Sequence, residues 1–257
     1  MNYKIITKNK IRYITIPELT RLGLNNCFTT RDMDIGIRTN PSILDIKNNL
    51  ILINETLDIT PKVIFGGVQT HSKNIMSVLD IHQGEENDVG RFVPDTDGLV
   101  TNIEDLALFT TYADCTPIIL FDSVKKVHGN VHSGWRGTLQ RIGKEAVNRM
   151  VADYGCNPEH IIAIVGPSIG KDDFEVESDV MQQFQDEFDF HDQIIRQKDD
   201  IKYLIDIQKT NKRILLESGI QEKNITVIDL STKSNPMLHS YRRDGSEFGL
   251  MGCITCL

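Results

Sequence analysis

Short apolar runs separated by turn residues cover most of the chain and predict a protein rich in β-strands. The clearest pattern lies between Ala107 and Tyr154, where three apolar runs precede a long amphipathic segment. Apolar side chains in that segment recur at helical spacing, and Gly155 provides a stop: Leu139, Ile142, Ala146, Val147, Met150, Val151 and Tyr154. We therefore predict three strands followed by a helix for this stretch.

The same patterns predict the elements of the rest of the chain. Further strands are predicted at residues 3–7, 12–16, 62–65, 74–79, 160–165, 203–205, 224–230 and 239–243. Helices are predicted at residues 45–57, with Asp45 as the N-cap, and at 138–154, 178–188 and 207–217. Residues 85–94 are predicted to form a charged loop. Because strands cluster before the long helices, we predict an α+β fold with mixed strand order, formed by one domain over residues 1–257.

Composition narrows the class of protein. Hydrophobic residues make up 40% of the 257 residues and charged residues 25%, as in ordinary globular proteins. The net charge of −8 argues against nucleic acid as a partner but not against an anionic small molecule. Five cysteines without a disulfide spacing favour a reducing compartment. With no apolar run of membrane-spanning length and no signal-peptide pattern, we expect a cytoplasmic protein without a membrane partner.

Three soft ligand side chains stand at corners of the predicted sheet. Cys115 interrupts two apolar runs, His132 begins a glycine-framed corner, and His71 follows the glycine pair after residues 62–65. One thiol and two imidazoles suit a catalytic zinc, which keeps a fourth coordination position open. His128 would share a strand face with His132, so it is a rival or a supporting residue. The alternative is that all of these residues are buried core residues, because the spacing matches no compact metal motif.

Six segments together resemble a known family. GGVQTHSKNI, DGLVT, YADCTPIILFD, VHSGWRGTLQRI, GPSIG and SYRRDG occur in the same order as in the multicopper polyphenol oxidase (laccase-type) family, also described as bacterial purine nucleoside phosphorylases. The resemblance runs from about Phe28 to Gly245. It implies a catalytic zinc, or else copper, held by His71, Cys115 and His132. It also implies a layered α/β/β/α fold with mixed β-sheets, similar to that of cytotoxic-necrotizing-factor-like cysteine hydrolases.

The activity implied by the resemblance is phosphorolysis of adenosine, inosine and methylthioadenosine, with adenosine deamination alongside. The expected partners are therefore purine nucleosides and phosphate, bound by a monomer or a homodimer. Arg136 could grip phosphate with its planar guanidinium, and Arg31, Arg242 and Arg243 are further candidates. The alternative for each arginine is an exposed position without a ligand.

Three more residues are candidates around the proposed metal. Asp114, beside Cys115, could move a proton in deamination, or else be a turn residue that bonds local backbone. Gln69 could orient the site or the base. Trp135 could stack on a purine or pack in the core.

The chain also departs from the family pattern. Lys171-Asp172-Asp173 and residues 231–236 lack cysteines that the family often has there, and the serine–leucine–asparagine element expected after Arg31 is missing. None of these positions is a proposed ligand. The pair Cys253 and Cys256 has no second pair nearby and is interpreted as incidental.

Three other functions fit parts of the same pattern. A copper polyphenol oxidase would need more histidine ligands than seven scattered histidines offer, none of them in an HxH pair. A metal-free hydrolase or deamidase would use Cys115 as nucleophile and His132 as base. A non-catalytic protein would bind a nucleotide or partner in the same pocket without turnover.

Overall fold

Two mixed β-sheets lie at the centre of the computed structural model, which describes all 257 residues. The strands are β1 Lys4–Lys8, β2 Ile11–Thr15, β3 Asn25–Thr29, β4 Val63–Gly67, β5 Ile75–Ser77, β6 Glu85–Glu86, β7 Arg91–Val93, β8 Gly98–Thr101, β9 Leu106–Tyr112, β10 Thr116–Asp122, β11 Val127–Ser133, β12 Ile161–Val165, β13 Glu175–Val176, β14 Ile195–Gln197, β15 Tyr203–Ile205, β16 Ile225–Val227 and β17 Met251–Cys256. The α-helices are α1 Pro17–Arg21, α2 Ile43–Leu57, α3 Trp135–Leu139, α4 Ile142–Tyr154, α5 Ser178–Glu187, α6 Ile207–Glu217 and α7 Tyr241–Asp244.

The strand order explains why the sheets are mixed. The first sheet has eight strands in the order β1-β2-β3-β17-β9-β4-β7-β6, and the second has six in the order β16-β12-β10-β11-β8-β5. Strand β4 runs parallel to both of its neighbours, as β5 does to β8 and β12 to β16, whereas the other pairs in these two sheets are antiparallel. A third, smaller sheet has the order β13-β15-β14.

Strand β10 shows how the layers pack. Ile118 and Leu120 pack against apolar side chains of α4, whereas Ile119 and Phe121 pack against apolar side chains of the first sheet. Alternate side chains of a strand point to opposite faces, so both faces of β10 are buried. Helix α2 covers the outer face of the first sheet through a separate cluster. The order of layers is therefore α/β/β/α, which confirms the predicted α+β class and mixed sheets.

The layer between the two sheets also contains polar side chains, and His128 is one of them. His128 is fully buried and its Nδ1 lies 3.0 Å from Thr255 Oγ1. Nearby, Asn130 donates to the carbonyls of Leu108 and Cys253. Burial lowers the pKa of His128 to about 3, so its ring is neutral. His128 is a core residue here, and the idea that it rivals or supports His132 is wrong.

Several predicted elements differ from the structure. The predicted helix 138–154 is two helices, because Arg141 has a left-handed backbone (φ 58°) between α3 and α4, and its side chain bonds Glu187 and Glu217. Helix α2 is capped by Ser42, which accepts from Asp45 N, so Asp45 is not the N-cap.

Two further predictions about local structure were wrong. The loop predicted at 85–94 contains β6 and β7. The strand predicted at 239–243 is instead helix α7, whose N-cap Ser240 accepts from Arg243 N at 3.2 Å.

Candidate metal centre and cavity

Three segments that are distant in sequence bring His71, Cys115 and His132 together. His71 follows β4, Cys115 joins β9 to β10, and His132 is the penultimate residue of β11. One ligand atom from each residue lies within 4.8 Å of the other two. Cys115 Sγ is 3.8 Å from His71 Nε2, and the two imidazole rings are 5.0 Å apart. The antiparallel pairing of β10 with β11 accounts for much of this, because Pro117 is opposite His132.

The backbone is unusual at two of these corners. His71 has φ 62° and Asp114, beside Cys115, has φ 82°. Residues other than glycine rarely adopt this left-handed region, and such strain persists only where the surrounding structure imposes it. At both corners the residue in this region is a ligand candidate or its neighbour.

Asp97 holds two of the three segments in place. Its buried carboxylate accepts from His132 Nδ1 at 2.8 Å. It also accepts from three successive backbone N–H groups at 3.0, 3.0 and 2.8 Å, those of residues 70–72. Because Asp97 occupies Nδ1 of His132, only Nε2 of that ring is free to face Cys115.

The charges of this cluster are tightly coupled. Burial alone would raise the pKa of Asp97, but the hydrogen bond and charge of His132 hold it well below its usual range. Burial would likewise raise the pKa of the Cys115 thiol, but His132 and His71 lower it to about 6. The pKa of His132 rises to about 9, because Cys115 and Asp97 outweigh the effect of burial. Cys115 is therefore a thiolate at neutral pH, which is the form that binds metals or attacks electrophiles.

The residues present fit a bound metal ion. A thiolate and two imidazoles face one another, one imidazole is oriented by a carboxylate, and this is the kind of donor set and support found at catalytic zinc sites. Soft thiolate with imidazole suits zinc or copper more than magnesium or calcium. His71, Cys115 and His132 would hold such an ion.

Gly134 leaves room for the cluster. A Cβ atom at this position would lie 2.7 Å from His71 Cδ2 and 3.2 Å from Cys115 Sγ. We expect Gly134→Ala to move both ligands and to weaken zinc binding about tenfold or more, as disturbing the support of metal ligands does. Gly143→Ala, in α4, is the matched control, because its Cβ would meet Leu215 of α6 at an ordinary 3.4 Å. Titration with zinc in competition with a chromophoric chelator measures the zinc affinity of both variants. Equal affinities of the two variants would contradict the prediction.

The cluster opens into a cavity of about 1030 Å³. Its walls include five residues named as candidates from the sequence, namely Gln69, Asp114, Trp135, Arg136 and Arg242. Arg31 is exposed and does not line the cavity, so it is not placed to bind a substrate there as expected. Arg243 donates to the carbonyls of Thr232, Lys233, Asn235 and Leu238 and pairs with Asp244, so its guanidinium holds a loop together.

Asp114 and Gln69 are engaged within the protein. Asp114 accepts from Thr232 Oγ1 and from Arg242 N, both at 2.6 Å, so it bonds distant segments rather than its own turn. Gln69 pairs with the backbone of Thr111, accepting at 2.8 Å and donating at 2.9 Å. Both residues fix the cavity wall next to the proposed ligands.

The cavity also contains charged and aromatic residues that the sequence patterns did not single out. Arg38 and Phe174 line the cavity and were not considered as candidates. Asp97 lies outside the lining but bonds His132, and it was not named as a candidate either. Asp97 precedes a glycine, as a turn residue often does, and the partners of its carboxylate are 25 or more residues away in sequence. Only the fold reveals its role.

The sequence matches known proteins over most of its length. Residues 20–257 match the family model described as multi-copper polyphenol oxidoreductase laccase. The chain belongs to this family. It is 34% identical over 185 residues to purine nucleoside phosphorylase YlmD of Bacillus subtilis, a match covering 71% of this chain and 66% of that protein. It is 36% identical over 174 residues to purine nucleoside phosphorylase LACC1 of Mus musculus, a match covering 65% of this chain and 40% of that protein.

A third relative has a different name. Adenosine deaminase RL5, from an unknown prokaryotic organism, is 34% identical over 164 residues, which cover 61% of this chain and 60% of that protein.

The fold is shared with solved structures. The hypothetical protein YfiH of Bacillus licheniformis superposes with a TM-score of 0.89 at 24% identity, covering 97% of this chain and 100% of that one. No helix of the present structure is both long and apolar enough to cross a membrane.

Proposed function

We propose that this family member is a zinc-dependent purine nucleoside phosphorylase. It cleaves adenosine, inosine and methylthioadenosine with phosphate and deaminates adenosine as a side activity. The observation that carries the proposal is the cluster of His71, Cys115 and His132 in the wall of a cavity that also presents arginines without carboxylate partners. The names of the relatives support the same reaction class.

Zinc is the proposed metal. When bound by the three ligands, it supplies Lewis acidity at an open coordination position. Asp97 contributes by fixing the ring of His132, and Gly134 by leaving space beside His71 and Cys115. The ligand side chains are thereby held before substrate arrives, which avoids a cost of reorganisation.

Phosphate is the proposed nucleophile, and Arg136 and Arg242 are proposed to hold it. Arg136 stacks on Trp135, with its guanidinium carbon 4.1 Å from the ring centroid, and forms no ion pair. Arg242 lies over Phe174 and donates Nη1 to the carbonyl of Glu175 at 2.8 Å. Each guanidinium is thus oriented and keeps donors for phosphate oxygens.

Bond changes in phosphorolysis define what the rest of the cavity must do. A phosphate oxygen forms a bond to C1′ of the sugar while the C1′–N bond to the purine breaks and the purine takes the electron pair. The purine then needs a proton and an apolar surface. Trp135, Phe174 and Ile169 supply aromatic and aliphatic surface in the cavity. We propose that Asp114 positions Arg242, because the backbone N–H of Arg242 donates to the Asp114 carboxylate. In this proposal Asp114 does not transfer the proton to the purine directly.

A metal-free cysteine hydrolase is the second candidate. The observation that favours it is the order Cys115, His132, Asp97, in which a thiolate neighbours an imidazole that a buried carboxylate orients. Nucleophile, base and orienting group are the parts that such an enzyme requires. Zinc would occupy the same thiolate, so the two candidates exclude each other in one molecule.

The test is turnover by protein of known metal content. Zinc-loaded protein is incubated with adenosine, with and without phosphate, and the products are separated by chromatography. We expect adenine and ribose 1-phosphate only with phosphate, a smaller amount of inosine in either case, and loss of both activities after chelation. A copper-loaded sample with a phenol tests the oxidase alternative. Phosphate-independent products alone, or activity only in metal-free protein, would overturn the proposal.

A further inference from the structure

The arginines of the cavity differ from most others in the chain. Seven of the twelve arginines form ion pairs with carboxylates. Three of the remaining five line this one cavity, namely Arg38, Arg136 and Arg242. The other cation of the wall, Lys202, is paired with Glu177 at 2.7 Å. The wall also carries Asp114, Glu175, Glu177 and Asp179, but none of them forms an ion pair with these arginines, and Glu175 and Glu177 pair with lysines. In a chain of net charge −8, three arginines without ion pairs around one cavity favour an anionic ligand.

Arg38 is held by an ordered loop. Asp34 accepts from Gly36 N, Thr39 Oγ1 and Leu250 N at 2.7–3.0 Å, which fixes the loop on both sides of Arg38. The guanidinium itself makes one hydrogen bond, from Nη2 to the carbonyl of Gln69 at 3.3 Å. A guanidinium has five N–H donors, so most of those of Arg38 are free for a ligand.

Arg38 also belongs to a different wall from the other two arginines. Arg136 and Arg242 lie over Trp135 and Phe174, which pack in the cluster around α5 and the smallest sheet. Arg38 follows Ile35, which packs in the cluster between α2 and the first sheet. If one phosphate is held by Arg136 and Arg242, the free donors of Arg38 on the other wall remain for a further ligand group. A cavity of about 1030 Å³ has room for a further one.

We propose that Arg38 binds a second phosphoryl group, which makes phosphorylated purine nucleosides a ligand class of this cavity. The favoured source is the 5′-phosphate of a purine nucleoside. Inorganic phosphate offers the same oxygens and is the other source. The proposal rests on the proposed function only for the choice of a purine ligand, because the guanidinium–phosphoryl contact requires no turnover.

Equilibrium binding tests the assignment independently of catalysis. Zinc-loaded wild type and Arg38→Gln are titrated calorimetrically with adenosine 5′-monophosphate, adenosine and inorganic phosphate. We expect the substitution to weaken the 5′-monophosphate about tenfold or more, since hydrogen bonds to charged groups contribute that much, and to leave adenosine unchanged. Arg38→Lys, which keeps the charge, should recover part of the loss. Arg21→Gln is the control, because Arg21 is exposed and does not line the cavity.

The outcomes separate the two sources. Weaker binding of the 5′-monophosphate alone assigns Arg38 to the nucleotide, and weaker binding of inorganic phosphate assigns it to the co-substrate. The assignment is overturned if neither ligand changes, or if wild type binds neither. We expect the Arg38 variants to melt at the same temperature as wild type, because Arg38 is exposed and makes a single long hydrogen bond. Equal melting temperatures show that the variants are folded. If adenosine phosphorolysis fails while the 5′-monophosphate binds through Arg38, the proposed function fails and this assignment stands.

Discussion

The Cys115→Ser protein is expected to lose its zinc and at least ~100-fold of its adenosine phosphorolysis. The reason is charge. The pKa of the Cys115 thiol is lowered to about 6, so the wild-type ligand is an anion at neutral pH. A serine hydroxyl is not ionised at that pH and is a poor ligand for a soft cation. Metal analysis together with the adenine-release assay measures both losses on one preparation.

Cys156→Ser is the matched control. Cys156 is buried, with 4% of its surface exposed, but it packs in the cluster of α4 and the second sheet rather than at the cavity. This variant should lose some thermal stability and keep about one zinc per chain, as a three-ligand site implies. A Cys115→Ser protein with full zinc and full turnover would remove Cys115 from the centre. If wild type binds no zinc and Cys115→Ser abolishes hydrolysis instead, the cysteine-hydrolase candidate takes precedence.

The ligand candidates could be found from sequence because of where they stand. His71, Cys115 and His132 each follow or interrupt a strongly apolar run, and polar soft ligands at strand ends are conspicuous in such a pattern. The structure brings these three into one cluster. The same reasoning predicted the strands around them, because a buried strand such as β10 is apolar on both faces.

The rest of the site depends on contacts that no local pattern encodes. Arg31 and Arg38 are seven positions apart in an irregular segment, and only the path of the loop decides that Arg38 lines the cavity. The left-handed Arg141 ends a helix whose apolar spacing continues without interruption, and its side chain pairs with Glu187 and Glu217, both distant in sequence. Ser240 caps a short helix in a segment whose composition resembles a strand.

Asp97→Asn is expected to weaken zinc binding by about 10–100-fold and to destabilise the fold by about 2–4 kcal/mol. The carboxylate of Asp97 accepts five hydrogen bonds of 2.8–3.0 Å: from His132 Nδ1, three backbone N–H groups and Ser72 Oγ. An amide of the same shape would turn its NH₂ group toward some of these donors, so buried N–H groups would lose their acceptor. The ring of His132 would also lose the group that fixes its orientation.

Asp95→Asn provides a strict comparison for this prediction. Asp95 is exposed, lies two residues away and bonds Thr70 and Asn74, so the substitution makes the same change of charge outside the buried network. Chelator competition gives zinc affinity and thermal denaturation of the metal-free proteins gives stability, which separates the two effects. We expect Asp95→Asn to resemble wild type in both. Were the two variants to match each other, net charge near the cavity would explain the loss, and Asp97 would have no special role in orienting His132. A loss confined to Asp97→Asn would instead trace the preorganisation of the centre to this one carboxylate, which joins the loop carrying His71 to the strand carrying His132.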